Sequence, residues 1–289
     1  MSFETFLQTA WRDHGDHPEA VAARLAEALP LVESRADFGP FVRLLTHVYG
    51  EHLGEWQRGV DLLDALTRVP AFDDSALVRG PVIRGTAMLR YANGEHSAMA
   101  ELSESDATYA LASAADALAA RGQIALAIDA FSKAMARAPA TLTAEHPAVR
   151  ALAVCGNNLS TVLEKLPELG LVESHAMIAT AETGLRYWKL AGTWLEEERA
   201  EYQLSRCQLR AGEIEAATAS IGRCIDVCIR NNAEPFELFF GYAVQAVVYR
   251  TKGELAAFAQ SRGAALRQYA LIPDTDQRWC DREYKEIGC

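Results

Sequence analysis

Residues 111–139 read LASAADALAARGQIALAIDAFSKAMARAP. Two alanine-rich runs flank Gly122. In the second, Ile124, Ile128, Phe131 and Met135 recur at intervals of four, three and four, the spacing that lines side chains along one face of an α-helix. Alanine has the best helix propensity and allows two helices to approach closely. A glycine at the break suits the left-handed conformation that ends many helices. The stretch predicts a helical hairpin, one helix before Gly122 and one after it.

The same pattern extends both ways along the 289 residues. Val21, Leu25, Ala28, Leu29 and Val32 share helical spacing, as do Val60, Leu63, Leu66 and Val69. A glycine followed by a polar residue recurs at Gly15-Asp16, Gly54-Glu55, Gly94-Glu95, Gly122-Gln123, Gly212-Glu213 and Gly253-Glu254, with gaps of 39, 40, 28, 90 and 41. The 90 holds two units if Pro167 to Gly170 makes a further turn. Pro18, Pro40, Pro81, Pro147 and Pro235 each stand just ahead of an apolar run, where a missing N–H costs least. Pro30 is expected to stop or kink its helix. No sustained strand alternation and no Asn-Gly or Asp-Gly turn is present. A period near forty implies helix pairs that bury their apolar faces only by stacking on neighbours.

In residues 111–139 a small residue, Ala127, follows the turn glycine at five, an aromatic, Phe131, at nine, a second small residue, Ala134, at twelve and Pro139 at seventeen. In this it resembles the tetratricopeptide repeat. The unit at Gly212 matches through Leu204, Ala217, Ile221 and Cys224, and the unit at Gly54 partly, through Gly59, Leu63 and Leu66. After Gly94 the second helix looks truncated. His146 to Ser160, HPAVRALAVCGNNLS, is locally similar to the longer repeats of kinesin light chains. The resemblance implies an all-α fold, a right-handed α-α superhelix of about six to seven hairpins in one domain over 1–289. Its hairpins would be degenerate over 1–106 and clearer over 107–272, with a polar capping helix over 273–289, capped by Asp274.

Charge limits the partners. With 28 Lys and Arg against 39 Asp and Glu the net charge is −11, which repels phosphate backbones, so nucleic acid is not expected as a direct partner. The start, MSFETFLQTAWRDHGDHPEA, has no basic leader, and no apolar run is long enough for a membrane span. The expected setting is cytoplasmic, without membrane contact. Six cysteines, Cys155, Cys207, Cys224, Cys228, Cys280 and Cys289, occur without an export signal, so a disulfide framework is not expected. Cys224 and Cys228 share a helix face and read as core thiols, with zinc or redox chemistry the alternative.

Catalytic spacing is scarce. There is no Gly-x-Ser-x-Gly, phosphate loop or Gly-x-Gly-x-x-Gly. His47, Glu51 and His52 resemble a zinc-protease pattern with one residue too many. His14 and His17, beside Asp13 and Asp16, read as ordinary turn residues, with metal binding the alternative. Glu196, Glu197 and Glu198 suit the positive start of a helix. No catalytic residue, metal or cofactor is expected, and the protein reads as a non-enzyme.

A binding surface remains. In tetratricopeptide-like arrays the first helix of each pair lines the concave face. By that resemblance the groove receives Arg84 and Tyr91 before Gly94, Tyr202, Arg206 and Arg210 before Gly212, Arg250 before Gly253, and Asn157 with Asn158 in the unit between. Arginine offers a planar fork for carboxylates, asparagine pairs with peptide backbone, and tyrosine adds rigid contact area. The expectation is an adaptor or scaffold whose groove takes a peptide segment or protein tail, with an acidic one favoured by the arginines. The competing readings are arginines that merely pair with neighbouring acids, and a peptide- or ligand-sensing regulator acting through a separate effector. Apolar Phe3, Phe6, Leu7 and Trp11 make a homodimer sealed through the first helix a further expectation.

Overall fold

The chain reverses at its glycines. Gly54, Gly94, Gly122, Gly212 and Gly253 all take the left-handed conformation, with φ between 66° and 93°. Gly15 does not. A computed structural model describes residues 1–288; Cys289, and with it the last residue of the expected capping helix, lies outside the described residues. These are helices and connections, with no strand among them.

The chain forms two compact units, and the division falls within one helix, Pro147–Glu164. The first holds α1 (Phe3–Asp13), α2 (Pro18–Glu27), α3 (Phe38–Thr46), a wide π turn over His47–Leu53, α4 (Trp56–Leu66), α5 (Ala76–Ala92), α6 (Glu104–Ala120) and α7 (Ile124–Arg137). The helix Pro147–Glu164 is α8. The second unit continues with α9 (Leu171–Ala191), α10 (Trp194–Ala211), α11 (Ile214–Arg230), α12 (Pro235–Lys252), α13 (Leu255–Tyr269), α14 (Asp274–Gln277) and α15 (Asp281–Glu286). Within each unit helices pack on their chain neighbours: α5 on α6 and α6 on α7, then α9 on α10, α10 on α11, α11 on α12 and α12 on α13. This is the packing of an all-α solenoid.

Small residues set the spacing. Ala127, Ala130, Phe131 and Ala134 of α7 are fully buried, as are Ala217, Ile221 and Cys224 of α11. At Gly59 a Cβ would lie 2.7 Å from Leu89 Cδ1 and 3.0 Å from Tyr49 Cβ, so α4 approaches α5 and the π turn only without a side chain there.

Several local expectations change. Pro18, Pro147 and Pro235 do open helices, and Pro30 follows α2 in a short 3₁₀ turn, but Pro81 lies inside α5. Its apolar run begins five residues earlier, at Ala76, and packing on α3, α4 and α6 outweighs one lost hydrogen bond. After Gly94 only the 3₁₀ turn His96–Met99 forms. The terminal segment is two short helices, and Asp274 is the first residue of α14 with no side-chain cap before it. Phe6 is buried and Phe3 stacks on Phe41 within the same unit. No described helix is long and apolar enough to cross a membrane.

Candidate functional site

Tyr202, Arg206 and Arg210 follow one another at four-residue steps, so α10 presents them on one face. The start of α10 is fixed by a reciprocal cap: the Thr193 amide donates to Glu196 Oε2 at 2.8 Å, and the Leu195 amide donates to Thr193 Oγ1 at 3.3 Å. Its end is Gly212, left-handed at φ 81°.

That face is already covered by α15. Arg206 is only 6% exposed. Its Nη1 donates to Glu286 Oε2 at 3.0 Å and its Nη2 to Glu286 Oε1 at 2.9 Å, a bidentate grip. The same two nitrogens reach Glu283 Oε1 and Glu164 Oε1, each at 3.3 Å. The Tyr202 hydroxyl donates to Glu283 Oε1 at 2.6 Å. Arg282 closes the set from α15, donating to Glu164 Oε2 at 3.1 Å and to Glu286 Oε1 at 3.2 Å.

Further arginines hold the end of α15. Arg250 Nη1 donates to the Glu286 carbonyl at 2.8 Å, and Arg262 to the carbonyls of Ile287 and Gly288 at 2.9 and 3.3 Å. These are the carbonyls a helix end leaves without intrahelical partners. Arg210 does the same after α8, with Nη2 on the Leu166 and Pro167 carbonyls at 3.0 and 3.3 Å. Apolar contacts reinforce the docking: Cys280 and Ile287 join Phe239, Ala243, Ala246, Ala265 and Ile272 in one buried cluster, and Tyr284 stacks on Tyr269 at 4.4 Å.

The electrostatics follow from burial. Desolvation opposes the charge on Arg206, but Glu286, Tyr202 and Glu164 outweigh it and hold the guanidinium ionised. Burial raises the Glu164 and Glu286 carboxyls, yet the arginines beside them keep both below the ordinary glutamate range. A cleft of about 540 Å³ remains beside this network, lined by Lys165, Arg206, Arg210 and Arg282 together with Glu164 and Glu286.

The structure thus brings together Tyr202, Arg206 and Arg250 around α15, with Arg210 on the adjoining cleft. Arg84 and Tyr91 are not residues of this unit. Those two lie in the first unit, where Arg84 pairs with Asp106 at 2.9 Å over the Tyr109 ring, and Tyr91 is buried with its hydroxyl 3.4 Å from Asp129 Oδ2. Asn157 accepts through its carbonyl from Ser160 and Thr161, each at 2.8 Å, and Asn158 is exposed. Sequence reasoning missed Glu164, Arg282, Glu283 and Glu286. The signal was the three-residue step between Glu283 and Glu286, which puts two carboxylates on one face of a helix.

A second polar cluster lies under α10. Glu198, expected among the acids at the positive start of the helix, is buried. Only Glu196 serves the cap. Cys224 and Cys228 both donate to Glu198 Oε2, at 3.4 and 3.6 Å. Burial first, then the hydrogen bond with Glu237, pushes the Glu198 carboxyl up to about 10. Burial likewise pushes the Cys207 thiol up to about 12 and Cys280 to about 11.

No protein-family model and no curated protein matches this chain. Its function is therefore read from the site itself.

Proposed function

We propose that the α10–α12 face of the second unit is a receptor for an acidic peptide segment, and that α15 occupies it in cis. The repeats are read as tetratricopeptide-like and the protein as a non-enzymatic adaptor of the cytoplasm. The single observation that carries this is the bidentate grip of Arg206 on Glu286, made while two further arginines, Arg250 and Arg262, hold the end of the same short helix. A guanidinium fork held this way recognises a carboxylate by shape as well as charge. The adjoining cleft adds Lys165 and Arg210 to the cations beside this network.

A partner with a comparable pair of carboxylates three residues apart competes with α15 for Arg206. Cis occupation also favours the second reading, a regulator whose exposed surface depends on whether α15 is docked. Both rest on the same exchange.

The test uses a labelled synthetic peptide of residues 274–288, DTDQRWCDREYKEIG, and fluorescence anisotropy. The full chain carrying Glu283→Gln and Glu286→Gln, with its own helix weakened, is expected to bind the peptide at least about tenfold more tightly than the unaltered chain. Adding Arg206→Ala is expected to remove that binding. Equal binding by all three folded proteins, or none by any, would rule the reading out.

A further inference from the structure

The first unit gathers three of the chain's seven histidines. His14 follows the end of α1, while His47 and His52 lie on the π turn. The ring centroids are 4.9 Å apart for His14 and His47, 5.1 Å for His14 and His52, and 4.8 Å for His47 and His52. The spacing that is one residue too long for an α-helix is correct for this turn. Five residues of α-helix would place two side chains about 140° apart around the axis. A π turn bonds i to i+5 and stacks them, and His52 Nε2 lies 3.2 Å from His47 Nε2.

In two of the rings the other nitrogen is already engaged. His47 Nδ1 is 2.8 Å from Glu51 Oε1. His14 Nδ1 is 2.5 Å from the Trp11 carbonyl; because a carbonyl only accepts, that nitrogen carries the proton and Nε2 carries the lone pair. A carboxylate and a backbone carbonyl fixing ring tautomers from behind is the outer-sphere arrangement of histidine metal ligands. The backbone of His52 is held as well, its carbonyl accepting from Arg121 Nη1 at 2.8 Å. One ligand nitrogen from each ring falls within 4.8 Å of the other two, and all three residues are partly open to solvent.

We propose that His14, His47 and His52 form a binding site for a divalent first-row transition metal of the zinc class, with three imidazole nitrogens as ligands and a fourth position facing water. Imidazole sets favour zinc and its neighbours, whereas calcium and magnesium call for oxygen. Three atoms all within 4.8 Å of one another share a point no more than about 2.8 Å from each, so ring movements under about 1 Å reach the zinc–nitrogen distance of roughly 2.1 Å. Glu51 is a positioning residue: it orients His47 and supplies negative charge behind it. The cluster of Glu198, Cys224 and Cys228 also has its ligand atoms close together, but it is fully buried and its thiols already donate to Glu198, so no position is open to solvent.

The experiment uses the full, untagged chain, stripped with a chelator and titrated with Zn(II) by calorimetry and with Co(II) by visible absorption. One equivalent is expected to bind, with the intense bands of tetrahedral Co(II) and a raised Tm. His14→Gln and His52→Gln are each expected to weaken binding at least about 100-fold, and Glu51→Gln about tenfold at unchanged stoichiometry. Cys224→Ser with Cys228→Ser is expected to change nothing. His14 sits at a turn, so His14→Gln keeps the fold, checked by an unchanged metal-free Tm. No saturable binding to the folded chain, full affinity in His14→Gln, or loss of binding in the double serine variant would overturn the assignment.

Discussion

Arg206 and Glu286, eighty positions apart, meet through two parallel hydrogen bonds of 2.9 and 3.0 Å. The pair is part of a buried set in which Arg206 also faces Glu164 and Glu283. Removing the arginine leaves buried carboxylates without their central cation. Arg206→Met is expected to cost about 3–5 kcal/mol, and Arg206→Lys, which keeps the charge but not the fork, roughly 2 kcal/mol. Urea unfolding measures both. In a Glu283→Gln, Glu286→Gln background the cost of Arg206→Met should shrink, because two of the three carboxylates it faces are gone.

The same network sets the acid limit of the fold. Glu164 and Glu286 titrate below the ordinary value of 4.5 in the folded protein. Their contribution is therefore complete above that value and is lost as pH falls through the lower folded one. Stability measured by urea unfolding from pH 7 to pH 3 should drop from about pH 5 downward, and Glu164→Gln with Glu286→Gln should flatten that arm of the curve.

Glu198 gives the opposite sign. Its carboxyl keeps its proton in the folded state up to about 10, against 4.5 as its ordinary value, so between these limits the folded protein binds more protons than the unfolded chain. Stability then falls as pH rises through the window. Glu198→Gln, which retains a donor toward Glu237, should gain on the unaltered protein by roughly 1 kcal/mol per pH unit between pH 6 and pH 9, read from urea midpoints.

How much of this was legible in the sequence depends on the range of the interaction. The left-handed glycines, the buried Ala127, Phe131 and Ala134, and the stunted segment after Gly94 were readable, because each is fixed by neighbours a few residues away. The repeat resemblance, counted back from Gly212, places Arg206 on an inward face. What it faces could not be read this way, since Glu164, Glu283 and Glu286 arrive through chain folding over tens of residues. The cluster of His14, His47 and His52 is hidden for a different reason: α-helical spacing separates His47 from His52, and a π turn changes which residues share a face. Pro81 departs from its expected place because tertiary packing overrides local propensity.

Two glycines inside helices should respond oppositely to alanine. Gly59→Ala places a Cβ 2.7 Å from Leu89 Cδ1 and is expected to destabilise by about 1–3 kcal/mol through overpacking. Gly222, within α11, has nothing within 4 Å of that position, so Gly222→Ala should stabilise by roughly 0.5–1 kcal/mol through helix propensity. Thermal unfolding followed by circular dichroism distinguishes the two signs.

A stack of helix pairs touching only its neighbours ordinarily frays from its ends, one pair at a time. The clasp between α15 and α10 alters that order, because the last described helix cannot detach without exposing Arg206 and Glu164 far behind it. Helices α10 to α15 are thereby tied into one cooperative block, whose slowest-exchanging amides should lose protection together rather than in sequence.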